Sequence, residues 1–206
     1  MARTEAAHPG ALVVFGVLVL LPFGRLSELA VAIASIAVIV LAVRGRWWAH
    51  GDDARRLVVI LFLAYALPVA LSAFTSVVPD KTWASAVASL RYLALALFTV
   101  QVMRQPVPAA GLVPAIAAVV LLWVLDAWAQ FTTGYSLGGA PEQERLSGIF
   151  GADNLKLGPV LAVLSPFLLL AARARLGRPG LLLAFLLMLV PVLLSGSRAA
   201  WLSYAL

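Results

Sequence analysis

Long apolar runs, each near the length that crosses a bilayer and each closed by a short polar connection, constrain this chain more than any other feature. A hydrocarbon layer about 30 Å thick takes roughly 20 apolar residues of helix to cross. Inside it only a helix or a closed barrel satisfies every backbone N–H and C=O. With 63% apolar and 12% charged residues, the chain has too little polar surface for a soluble domain. An all-α, polytopic transmembrane bundle is therefore expected, with residues 1–206 forming one membrane portion.

Helices are expected over 9–22, 28–43, 57–74, 83–103, 108–128, 155–172 and 180–194, with an eighth opening near Arg198 and reaching only Leu206. This makes about seven complete spans and the start of another. The first two runs are short, so either their flanks complete two spans or the PFGRLSE segment between them dips into the protein interior; two complete spans are the expectation. Residues 129–154 form the longest connection.

Charge sets the orientation. Arg44, Arg46, Arg55 and Arg56, then Arg104, then Arg173, Arg175 and Arg178 fall in alternate connections, whereas the others hold Arg25, Lys81, Arg145 and Lys156, with Arg198 at the start of the eighth helix. Arginine and lysine stay on the cytoplasmic side, which puts the N-terminus in the cytoplasm and the 129–154 connection outside. Trp47, Trp48, Trp83, Trp128 and Trp201 lie near the expected interfaces, where tryptophan is enriched. The net charge of +6 thus reads as topology and gives no separate support for nucleic-acid binding.

Several chemistries find no residues here. Cysteine is absent, His8 and His50 are isolated, and neither a phosphate-binding P-loop nor a dinucleotide glycine pattern occurs. The first apolar run has no small-residue cleavage pattern after it and reads as a retained helix.

Two polar stretches stand apart, RLSGIFGADNLKLG from Arg145 and LLSGSRAAWL from Leu193. The first ends a glycine-rich connection that suits a solvated linker, a turn folded over the bundle or a mobile lid. Asp153 or Asn154 can cap the following helix, and Lys156 near its start opposes the helix dipole unless an anion binds there. In the second stretch Ser197 can cap the eighth helix and Arg198 stands in its first turn. That arginine either grips a phosphate with its bidentate fork or snorkels to the headgroups. Arg91, about 12 Å along a helix from Trp83, lies inside the hydrocarbon and needs a partner. Asp126 is the expected one, with a diphosphate as the alternative or additional ligand.

These two stretches, in this order, resemble the N-terminal half of the O-antigen ligase family, a broad family that also contains the O-antigen polymerases. The resemblance covers roughly 123–206. Where members commonly carry Asn-Pro-Asn, this chain has Ala152, Asp153 and Asn154. The resemblance implies a GT-C-type, metal-independent glycosyltransferase of the bacterial inner membrane, with its site on the periplasmic side. It would transfer glycan from undecaprenyl diphosphate to lipid A-core in lipopolysaccharide biosynthesis, without a cofactor.

On that reading Arg198, Arg145 and Arg91 bind the diphosphate, with Lys156, Asn154, Ser197 and Asp126 in support. The general base would be a histidine in a second half that these residues do not contain, and the helix ending at Leu206 suggests an N-terminal portion of a longer protein, inactive alone. An O-antigen polymerase uses the same carrier and is the near alternative. A transporter, suggested by Pro68, Pro114, Pro191 and the outward glycines, is the distant one.

Overall fold

A computed structural model describes residues 9–44, 53–139, 145–151 and 156–206. Among the described residues the regular structure is all helical, with one isolated bridge between Ser136 and Gly139. In order come α1 (Pro9–Leu20), a 3₁₀ turn (Leu21–Phe23), α2 (Leu26–Val43), α3 (Asp53–Ser72), α4 (Pro79–Met103), α5 (Pro106–Thr133), a second 3₁₀ turn (Gly148–Phe150), α6 (Leu157–Leu194) and α7 (Arg198–Ala205). Among the described residues five helices, α2 to α6, are long and apolar enough to cross a membrane. With 12 residues, α1 rises only about 18 Å and falls short.

The helices form two compact units, the first comprising 1–17 and 25–109, the second 18–24 and 110–206. In the first, α4 packs against both α2 and α3. Small side chains on α2, Ser27, Ala30 and Ala34, are buried, and such residues let helix backbones approach in a setting where water drives no association. At one end of α3, Arg55 donates to Gln101 of α4 at 2.8 Å; at the other, Phe74 meets Trp83 edge-on at 5.3 Å. These two contacts make α3 and α4 antiparallel. Nothing in the apolar window of α3 is buried, which suits a helix bathed by lipid.

Arg91 does find an acidic partner, but a different one from that expected. Its guanidinium pairs with Glu28 of α2 at 3.0 Å, donates to the Tyr92 hydroxyl at 3.0 Å and lies 4.9 Å from the Tyr92 ring centre. Sequence distance favoured Asp126 because it lies on the next helix. Glu28, in the first turn of α2, is brought to Arg91 by the packing of α2 on α4. The same contact sets the start of α2 level with the middle of α4, about 18 Å along the helix from Pro79. Of the two short runs, α2 is long and apolar enough to cross a membrane and α1 is not.

In the second unit the longest helix is folded on itself. Gly158 and Ser195 would lie roughly 55 Å apart on a straight α-helix, yet a Cβ added to Gly158 would strike Ser195 Oγ and Cβ and come within 3.3 Å of Ala200 Cβ. The chain reverses at Gly177, whose φ of 69° and ψ of −153° are non-helical and open to glycine at little cost. α6 is thus two antiparallel arms, close to the separate helices expected over 155–172 and 180–194. Its far end is tied to α7: the Trp201 indole donates to Val192 O and Leu193 O at 3.1 and 3.0 Å. Nearer the middle of the second arm, Tyr204 stacks on Phe185 at 4.9 Å and donates to its carbonyl at 2.7 Å.

Candidate functional site

The site is built from a polar pair on an otherwise apolar helix. Asp126 and Gln130 are one turn apart on α5, so they share a face, and both are buried, at 7% and 2% exposure. Together they hold non-helical chain. Gln130 Oε1 accepts from the Ser147 and Gly148 amides at 3.0 and 2.8 Å, and its Nε2 reaches Ser147 Oγ at 3.3 Å. Asp126 Oδ1 accepts from the Leu137 amide at 2.8 Å. The connection therefore does not stand off as a linker: among the described residues it runs back along α5.

How far it runs back is set by Phe150, buried against Trp123 in an edge-on contact at 5.4 Å. Trp123 lies ten residues before the end of α5, about 15 Å down the helix axis. At such depth irregular backbone is tolerated only where protein satisfies it. Gln130, Asp126 and Ser136 do this, the last donating to Gly139 O and Gly148 O, each at 3.0 Å. Gly138 completes the fit, because a Cβ there would lie 2.6 Å from the Gly151 amide nitrogen. The 3₁₀ turn Leu21–Phe23 packs against the 3₁₀ turn Gly148–Phe150, so two non-helical turns meet inside this unit.

Docking the loop joins the two polar stretches. The Leu146 amide donates to Leu194 O at 3.0 Å, and the Arg145 side chain crosses directly over Gly196. A Cβ at Gly196 would be 3.0 Å from Arg145 Nε and 3.1 Å from its Cδ. Gly196 also has a φ of 71°, a conformation that side chains disfavour. Two residues on, α7 begins: Ser197 caps it by accepting from the Ala200 amide at 3.3 Å, and Arg198 occupies its first turn, exposed. Lys156 is at the N-cap position of α6, two residues before Gly158 and so at this same end of the hairpin.

Arg145, Arg198 and Lys156 are all exposed, and no described carboxylate pairs with any of them. Two of these cations sit at helix starts, where the backbone amides already carry partial positive charge. An anion bound there would gain from both the side chains and the amides. Asn154 and Asp153 lie outside the described residues. Asp126 belongs to the loop clamp; its Oδ2 is buried without a hydrogen-bond partner and faces Gly148. Arg91 belongs to the first unit. Gln130 is the residue that sequence reasoning missed. Its signal was available: Asp126 and Gln130 are polar residues at i and i+4 on an apolar helix.

No protein-family model, curated protein or solved structure matches this chain. What its helices define is a class, the all-α multi-pass membrane proteins, with about five long apolar helices.

Proposed function

We propose that this chain forms the donor-binding portion of a glycosyltransferase of the O-antigen ligase type. It would take glycan from undecaprenyl diphosphate and join it to lipid A-core, at the periplasmic face of the inner membrane, with its N-terminus in the cytoplasm. The observation that carries this reading is the Arg145 side chain lying on Gly196, which brings the Arg-Leu-Ser-Gly stretch onto the Ser-Gly-Ser-Arg stretch.

In this scheme an acceptor hydroxyl oxygen attacks the anomeric carbon, and the bond from that carbon to the diphosphate oxygen breaks. The hydroxyl proton passes to a general base, and undecaprenyl diphosphate departs with the bonding electrons. Negative charge grows on the leaving diphosphate, where arginine forks placed beforehand stabilise it most. Arg198 and Arg145 take that part, and Lys156 adds charge. Ser197 orients the start of α7, while Asp126 and Gln130 position the loop that carries Arg145. Arg91 is left out of the donor site, because Glu28 and Tyr92 engage it. The base is assigned to none of the described residues.

The test is glycan transfer to lipid A-core by the full protein and by its Arg198→Ala variant. Removing one charged donor from such a site costs about 10²–10³ in rate. Undiminished transfer by folded R198A removes Arg198 from the donor site. Glycan lengthened on its carrier, without transfer to lipid A-core, identifies a polymerase; movement of substrate across the membrane without any glycosidic bond formed identifies a transporter.

A further inference from the structure

The opposite end of the α6 hairpin holds a second feature that the donor site does not use. Where the two arms diverge from Gly177, they and α5 line a half-open cavity of about 400 Å³, within the range of small-ligand sites. Its walls are apolar and largely small, including Ala117 and Ala118 of α5, Ala171 and Ala172 of the first arm, and Ala184 of the second. One charged residue lines it, Arg175, which is exposed at the turn. Gly177 lies 18 residues from Ser195 along the second arm, about 27 Å, so this cavity and the Arg145–Arg198 surface belong to opposite ends of the hairpin.

Charge selects the occupant. Arg173, Arg175 and Arg178 cluster at the Gly177 turn, and no Asp or Glu occurs anywhere in 157–206. The described acid of the second unit, Asp126, is held by the loop at the other end. Three guanidinium groups at the end of an apolar hairpin, with no described ion-pair partner, match a negatively charged headgroup at a membrane surface. An apolar cavity directly beneath one of them matches an acyl chain. Water-soluble anions would gain nothing from the alanine and leucine walls, and an uncharged lipid nothing from Arg175.

The geometry points to a specific binding site for an anionic phospholipid, with one acyl chain lying between α5 and the two arms of α6 and the phosphate on Arg175. Such a lipid would wedge the hairpin at the end remote from the donor surface. The inference is independent of the glycosyltransferase reading, since it uses none of the same residues and its readout is lipid binding alone.

The experiment is native mass spectrometry of the purified full chain in detergent micelles titrated with phosphatidylglycerol or phosphatidylcholine of identical acyl chains. The wild type is expected to retain phosphatidylglycerol at least tenfold more tightly. Arg175→Gln, at an exposed position, should abolish that preference and leave the weaker binding of both lipids. Ala118→Phe, which fills the cavity from an exposed helix position, should reduce both. Equal retention of the two lipids by the wild type overturns the site, as does a preference that survives Arg175→Gln. Binding of phosphatidylglycerol undiminished by Ala118→Phe places the chain elsewhere and also overturns it. So does displacement of the lipid by glycerol 3-phosphate at the same concentration, because a headgroup alone would then suffice. A Cys introduced at 118 that cross-links two copies in the membrane would show the cavity covered by protein instead.

Discussion

Replacing Gln130 by Leu should release the loop that carries Arg145, and the size of the effect follows from the bonds lost. Leucine keeps the bulk of the side chain but removes the acceptor shared by the Ser147 and Gly148 amides, and Ser147 is 1% exposed. Two buried N–H groups lose their partner, each at about 1–3 kcal/mol, so the docked loop is weakened by about 2–6 kcal/mol. At about 1.4 kcal/mol per decade, its open population rises roughly 30-fold at the lower end and about 10⁴-fold at the upper.

The chain contains no cysteine, so a single Ser147→Cys reports that opening directly through its rate of maleimide labelling. Slow labelling is expected in the parent and at least 30-fold faster labelling in Gln130→Leu. Gln130→Glu keeps an oxygen acceptor for both amides and should label close to the parent rate. If folded Q130L labels within threefold of the parent, the hydrogen bonds are not what holds the loop. The packing of Phe150 on Trp123 would then carry it.

Three further outcomes follow from the same structure. Gly196→Ala must adopt a positive φ and place its Cβ against Arg145, so a loss of about 1–3 kcal/mol is expected in thermal unfolding; adding Arg145→Ala should recover only the steric share. Gly158→Leu should prevent the two arms of α6 from closing at Ser195, lowering the melting temperature in micelles by an overpacking cost of about 1–3 kcal/mol or more. Ser195→Gly in the same chain should restore part of it, and no recovery would argue against the hairpin contact. Glu28→Gln removes the charge partner of Arg91; an arginine at a helix centre costs about 2.5–3.5 kcal/mol on insertion scales, an upper bound for a pair about 40% exposed. The yield of membrane-inserted protein should fall, and the exchange Glu28→Arg with Arg91→Glu should bring it back.

Sequence periodicity and length were enough for the helices, because in lipid an apolar run has no other way to satisfy its backbone. The arms of α6 lie close to where apolar length placed them. The two polar stretches were legible for a similar reason, since serines, glycines and arginines stand out where they interrupt membrane-length runs, although Ser147 and Ser195 are in fact buried. Their union was not legible. Nothing local in RLSGIFG states that Leu146 will donate to Leu194, 48 residues later, or that Arg145 will cover Gly196. The partner of Arg91 was not legible on the same ground: Asp126 lies on the next helix in sequence, whereas Glu28 reaches Arg91 only because α2 packs on α4.

Composition and pattern by themselves determined that this is a multi-pass helical membrane protein, where most of its helices run, and which cations lack an obvious local use. The reason is that the bilayer acts on each segment separately: solvation of a single helix decides whether it forms and inserts. Only the tertiary structure decided that the described part of the long connection runs back along α5 to Asp126 and Gln130, that the start of α2 lies level with the middle of α4, and that α6 folds at Gly177. Those outcomes depend on which buried donor finds which acceptor across tens of residues, and on where a missing Cβ allows two backbones to meet.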